Sequence, residues 1–263
     1  MWVTMQIHPT AIVHPKAQLQ DDVVVGPYAF IGPHVILGKH CIVEHHATID
    51  GYTEMGQNNY MYPYCYLGAK THDLKHKGGI CHLKIGDDNV FREYVSIHTS
   101  TQDGQATTIG NHNYVLAFAH IGHDCTVKDH VIISAQVAIG GHVSIGNHTN
   151  IGGNASIHQF CRVGDYAMLG GHSFLKKDVP PFILVCGVPA VAKTFNRIGM
   201  LRNDFSEQEC AVVKKIFKYM YGSNLNRSQA MEAIANDSVI AQFQVIAKLI
   251  FHFVHAPSTR GLV

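Results

Sequence analysis

The 263-residue sequence has little charge and no paired-cysteine motif. Only 15% of its residues are Asp, Glu, Lys or Arg, and the formal net charge is +1. A generic nucleic-acid binder carries a strong basic excess, so that class is excluded. Seven cysteines, an odd number, stand at 41, 65, 81, 125, 161, 186 and 210, with no CxxC among them. This argues against a disulfide framework or a zinc ribbon and fits a reducing cytosol. No basic stretch followed by an apolar run opens the chain, and no segment approaches 18 uninterrupted apolar residues. Neither a signal peptide nor a membrane span is expected, and the expected location is cytoplasmic.

What the sequence does have is a period of six. Every sixth residue from Ile7 to Leu67 is aliphatic, through Val13, Leu19, Val25 and Ile31. The phase resumes at Ile85, Phe91 and Ile97, and again from Ile109 through Ile121, Ile139 and Ile157 to Leu175. Four positions further on, the residue is usually small or β-branched, as at Ala29, Val35, Cys41 and Ala47. Neither a helix nor an alternating strand repeats every six residues. A short strand plus a turn does, with the aliphatic pointing into a prism and the small residue filling its corner. The pattern predicts a parallel β-helix with three hexads to a coil, stabilised by stacking.

Residues 69–84 and 98–108 lack the inward aliphatics and are predicted to be extruded loops, the first rich in histidine. Inserted loops on a solenoid are frequent binding elements. Pro180 and Pro181 are expected to end the solenoid, giving a β-helix over 1–179 and a helical domain over 180–263. Helices are expected over 206–221, opened by a Ser206–Glu209 capping box, then near 228–236 and 238–254. From residue 176 onward stand 11 Lys/Arg against 6 Asp/Glu. That part is the expected docking surface for an acidic partner.

The segment AFAHIGHDCTV, residues 117–127, sets two histidines and an aspartate among apolar neighbours. Residues 18 apart stack on successive coils about 4.8 Å apart. Stacking places His123 against Gly141 and Gly141 against Gln159, with Asp124 against His142. A neutral imidazole accepts a proton at neutral pH, and an adjacent carboxylate fixes its tautomer. A neighbouring glycine leaves a backbone N–H open to a developing oxyanion. Base, orienting group and oxyanion donor suit acyl transfer to a hydroxyl. The alternative is zinc held by His120, His123 and His142. Asp124 directly after the candidate base, and the lack of a further evident ligand, favour acyl transfer, so no metal is expected. His8, His14, His34, His40, His45 and His46 are expected to be turn residues.

Nearly the whole chain resembles the bacterial acyl-carrier-protein–UDP-N-acetylglucosamine O-acyltransferase family of lipid A biosynthesis. The resemblance rests on IHPTAIVHPKA, HDLKHKG, FREYVSIH, AHIGHDCTV, GGHVSIG, SIHQFCRVG, DVPPF and the terminal STRGLV. It implies an all-β solenoid plus α, a left-handed parallel β-helix with a C-terminal helical domain. It implies a homotrimer with sites between subunits, and acyl carrier protein and UDP-N-acetylglucosamine as substrates with no cofactor. His123 would be the base, Asp124 its orienting group and Gly141 the oxyanion donor. Asp73, Lys75 and His142 would contact the sugar, and His98, His120 and Gln159 would place substrate or acyl chain. Asn196 and Arg202 would hold the nucleotide, and Gly171 would limit acyl length. Ile198, Asn203 and Gly79 depart from the family pattern, which leaves open a paralogue acting on a related nucleotide sugar such as the 3-amino analogue.

Overall fold

The computed structural model describes residues 6–263. The hexads form two- to four-residue parallel strands that make the walls of a triangular prism, in three sheets of 11, 9 and 8 strands, the last two strands of the largest lying beyond the hexads. Registers advance by 18 where no loop intervenes, as in Ala138 beside Ser156. They advance by 24 or 30 across the insertions, as in Ser96 beside His120 and Leu67 beside Ile97. From Val25 to Leu175 the periodic aliphatics are buried. Ile7 is 42% exposed because it lies in the outermost described coil. Cys41, Cys65, Cys125 and Cys161 fill corners as buried free thiols.

Most corners turn through a residue in the left-handed region, which Asn, Asp and His tolerate better than most side chains. Seven histidines do this, His40, His46, His112, His130, His142, His148 and His172. Much of the histidine surplus is thus corner chemistry. The corner rings also stack along the axis, as His112, His130, His148 and Tyr166 do at centroid spacings of 4.6–4.8 Å.

Both insertions are shorter than the sequence predicts. His82–Ile85 and Ala106–Ile109 are paired strands, because Leu83 and Thr107 are buried in register. The connections that leave the walls are residues 70–81 and 99–105. Pro180 and Pro181 do not end the sheets. Ile183–Gly187 adds one more parallel strand beside Met168–Leu169, and Ala190–Phe195 folds back on it antiparallel. The prolines stand at a corner, where Phe182 takes the left-handed conformation and stacks on Tyr166 at 5.3 Å.

Helices α1 (Arg197–Arg202), α2 (Glu207–Tyr221), α3 (Arg227–Ala235) and α4 (Gln244–His255) follow. The Ser206–Glu209 capping box opens α2 with both reciprocal bonds made. The helix expected over 238–254 is split into a 3₁₀ turn, Ile240–Gln242, and α4. The Asp237 carboxylate accepts the N–H groups of Val239 and Ile240 and so starts the turn early. The C-terminus returns to the solenoid at buried Asp178. That carboxylate accepts the backbone N–H and Nε–H of Arg162 and the Ser258 hydroxyl, at 2.8, 2.8 and 2.6 Å. Two of the sequence's signature stretches, DVPPF and STRGLV, are therefore one contact.

Candidate active site

Coil stacking brings one corner of three successive coils together. The His142 N–H donates to the His123 carbonyl at 2.9 Å, and the Phe160 N–H to the Gly141 carbonyl at 3.1 Å. Above this corner opens a cleft of about 910 Å³, walled by the 70–81 connection on one side. Eight of the residues expected at the site line it: Asp73, Lys75, His98, His120, His123, Gly141, His142 and Gln159. Asp124 stands directly behind His123.

The pair at the centre is tight. His123 Nδ1 and Asp124 Oδ2 are 2.7 Å apart. An ionised carboxylate only accepts, so the proton of this bond sits on Nδ1 and Nε2 is left with its lone pair. The imidazole lies over Gly141. A Cβ at position 141 would come within 2.5 Å of Cε1 and 2.6 Å of Nε2, so only glycine leaves the ring its place. Among the described residues, the Gly141 N–H donates to no backbone carbonyl. His142 crosses His123 edge-on, stacks on Phe160, and sets Nε2 3.6 Å from Asp124 Oδ2.

Asp124 is held from several directions. Thr101 gives it both its backbone N–H, at 3.1 and 3.2 Å, and its hydroxyl, at 2.6 Å. The Asp124 N–H in turn donates to the Thr107 hydroxyl at 2.8 Å. Burial acts to raise this carboxyl, but the hydrogen bonds from Thr101 and His123 and the nearby His142 outweigh it and hold it below the ordinary range. Asp124 is ionised throughout the physiological range.

A second histidine group adjoins this pair, with His98 buried and His72 exposed. His72, His98 and His120 approach edge to face, with His72–His98 and His98–His120 centroids 4.1 and 4.7 Å apart. His120 Nδ1 is hydrogen-bonded to the Ser96 hydroxyl at 2.9 Å. Burial, then the neighbouring imidazoles, pushes His98 down to about 3 and lowers His120 as well. Both rings are neutral at physiological pH and act as hydrogen-bonding walls rather than cations. Potential metal-ligating atoms gather in two groups, His72–His98–His120 and His123–Asp124–His142. The zinc alternative of His120, His123 and His142 combines members of both and matches neither.

Three expected residues lie elsewhere. Asn196 is 4% exposed and caps α1: its Oδ1 accepts the Gly199 N–H and its Nδ2 donates to the Tyr166 carbonyl. Arg202 is exposed in the last turn of α1. Gly171 sits on the next corner of the prism, beside Gly153. Sequence reasoning missed His72, Thr101, Thr107 and His76, whose Nδ1 lies 3.1 Å from the Thr101 carbonyl. It also missed Arg260, whose Nε–H donates to the Gln159 carbonyl at 2.9 Å.

Repeating parallel walls of hexads, with a histidine–aspartate pair facing a cleft at one corner, are the features of a hexapeptide-repeat acyltransferase. The family model described as bacterial transferase hexapeptide matches residues 16–51 and 106–141, and that described as UDP-N-acetylglucosamine O-acyltransferase, domain 2, matches 178–263. Curated relatives named acyl-[acyl-carrier-protein]–UDP-N-acetylglucosamine O-acyltransferase are 42% identical in Synechocystis, over 88% of this chain and 84% of that one, and 41% identical in Syntrophobacter fumaroxidans, over 98% and 100%. The solved structure of LpxA from Acinetobacter baumannii is 38% identical, with a TM-score of 0.90 over 98% of this chain and 99% of that one. The chain belongs to the acyl-[acyl-carrier-protein]–UDP-N-acetylglucosamine O-acyltransferase family, and its solenoid is the left-handed β-helix of those structures.

Proposed function

We propose that the chain transfers an acyl group from acyl carrier protein to the 3-hydroxyl of UDP-N-acetylglucosamine, the first step of lipid A biosynthesis, with His123 as general base. Nε2 of His123 takes the hydroxyl proton as the oxygen attacks the thioester carbonyl carbon. The carbonyl π electrons move to oxygen, and the Gly141 N–H receives the oxyanion. Collapse breaks the C–S bond, and the imidazolium returns its proton to the departing thiolate. Asp124 holds the tautomer and stabilises the imidazolium without taking the proton itself. The scheme is redox-neutral and uses no cofactor. The observation that carries it is the 2.7 Å His123–Asp124 pair, seated over a glycine and opening onto the cleft.

Asp73, Lys75 and His142 are assigned to the sugar, and His98, His120 and Gln159 to substrate or acyl placement. The nucleotide role of Asn196 and Arg202 and the acyl-length role of Gly171 belong to residues off the cleft of one chain. That separation favours a homotrimer in which a second copy completes each site. No helix among the described residues is long and apolar enough to cross a membrane, and we assign the enzyme to the cytoplasm.

The test is turnover of UDP-N-acetylglucosamine and its 3-amino analogue with a panel of acyl carriers, read by mass spectrometry. His123→Ala should lose about 10²–10⁴ in kcat while folded. Near-wild-type turnover by that variant would end the general-base assignment. Preference for the 3-amino analogue would favour the paralogue. Turnover abolished by a chelator and restored by stoichiometric zinc would favour the metal alternative.

A further inference from the structure

Thr101 lies outside the hexad pattern, in the connection between Ser96–His98 and Ala106–Ile109. Three of its backbone and side-chain groups are nevertheless engaged at the site. Its hydroxyl and its N–H both donate to the Asp124 carboxylate, and its carbonyl faces His76 Nδ1. His76 belongs to the other connection, 70–81, which carries Asp73 and Lys75 into the cleft. Thr101 is therefore where two excursions from the solenoid meet the pair that holds the base.

We propose that Thr101 is the positioning residue of this site, fixing the Asp124 carboxylate that orients His123. The inference rests on the acyl-transfer reading. Asp124 occupies a left-handed corner, φ +58°, which aims its side chain but does not fix its rotation about Cβ–Cγ. Oδ2 receives His123 Nδ1–H at 2.7 Å and the Thr101 hydroxyl at 2.6 Å. Two donors on one oxygen, with the Thr101 N–H bridging both oxygens, leave the carboxylate a single orientation. Charge-assisted bonds of this length are the strong ones. The other titratable groups around His123 are His142 from the next coil, His98 and His120 from the adjacent wall, and His72, Asp73 and Lys75 from the 70–81 connection across the cleft, none of them hydrogen-bonded to the ring. Among the described residues Asp124 is thus the only carboxylate hydrogen-bonded to the base, and Thr101 governs how strongly it acts.

The experiment compares Thr101→Val, Thr101→Ser and Thr101→Ala, each also in an Asp124→Asn background, with acyl transfer followed against pH. Valine keeps the shape and the backbone N–H but removes the hydroxyl. Its kcat is expected to fall about ten- to hundredfold with KM for the nucleotide sugar within about twofold. With one donor gone, Oδ2 binds the Nδ1 proton more strongly and the imidazolium is favoured. The acidic limb of kcat/KM should therefore move to higher pH, by about half a unit or more. Serine should restore rate and limb, and alanine should repeat the valine result if valine does not fold. In the Asp124→Asn background the valine change should cost little more, because groups acting as one unit are non-additive. An equal loss in both backgrounds, or an unmoved limb with lowered thermal stability, would make Thr101 a loop-packing residue and overturn the proposal. Failure of the acyl-transfer reading would show separately, as absent turnover in the unmodified enzyme.

Discussion

Gly141→Ala isolates geometry from chemistry, because it adds one methyl and removes no functional group. The new Cβ would stand 2.5 Å from Cε1 and 2.6 Å from Nε2 of His123. Carbon atoms settle at about 3.5–4.0 Å, so a gap of about 1 Å must be found. The backbone at 141 is outside the left-handed region and needs no adjustment. What can move is the imidazole, the free end of a side chain beside an open cleft. Displacement should therefore be cheap for the fold and expensive for turnover. We expect a stability loss of about 1 kcal/mol, the low end for overpacking, or about 2–4 °C in Tm. A 1 Å misplacement of a catalytic group can cost about 10² in rate, so kcat should fall about a hundredfold at saturating substrate. The control is Gly153→Ala on the next corner. There the nearest atom to the new Cβ is the Ala135 carbonyl oxygen at 3.3 Å, and turnover should persist. Turnover of Gly141→Ala within about threefold of the parent, with Tm unchanged, would show that the ring does not depend on the glycine cradle.

Two further outcomes follow from the charges. His98 has its folded pKa depressed from 6.5 to about 3, so it stays neutral in the native state while the unfolded chain takes up a proton. Its stabilising share is complete above pH 6.5 and is lost as the pH falls from there towards 3. At 1.36 kcal/mol per unit the loss reaches about 5 kcal/mol, and urea midpoints of His98→Gln should fall less steeply across that window; parallel curves would contradict the burial argument. On α2, within the basic C-terminal part, Lys214 and Lys218 are exposed and unpaired with any carboxylate among the described residues, whereas Lys215 is tied to Asp237 at 2.6 Å. Replacing both exposed lysines with glutamine should lower kcat/KM for acyl carrier several-fold at low salt, and an unmodified enzyme already insensitive to salt would refute steering through α2.

The corner that carries His123 was legible because nothing interrupts the period from 109 to 175. Residue i then meets residue i+18, and the contacts of His123 with Gly141 and of Asp124 with His142 follow from counting. Thr101 was not legible for the converse reason. It reaches Asp124 across 23 residues of which part is non-repetitive, and a period says nothing about where an excursion returns. His72 and His76 share that blindness. The strand after Pro181 was missed because proline was read as a stop, although a corner residue has no ladder bond to lose. Asn196, expected at the nucleotide, is also the cap of α1, a structural role that its N-x-x-G spacing carried in the sequence. The Gly199 N–H is accepted by Asn196, and a Cβ on Gly199 would collide with that side chain at 2.1 Å.

The solenoid offers many corners, and the physical question is why one of them should do chemistry. The His112, His130, His148 corner has as much imidazole as the His123 corner. Its rings are nearly parallel, at 10° and 8°, and the carboxylate nearest His112 in an ion pair is 3.9 Å away, beyond a hydrogen bond. Parallel stacking covers the ring faces, and among the described residues no carboxylate comes within hydrogen-bond distance of a ring nitrogen at this corner. At the other corner His123 and His142 cross at 89°, and Asp124 sits between them, 2.7 Å from one and 3.6 Å from the other. A stack becomes a base when a carboxylate is ionised and aimed at one nitrogen. In this chain the aiming groups come from outside the repeat, through Thr101. The walls supply spacing, the glycine supplies room, and the 99–105 excursion supplies direction. By this argument, grafting a carboxylate onto the stacked corner without such an excursion would leave it inert.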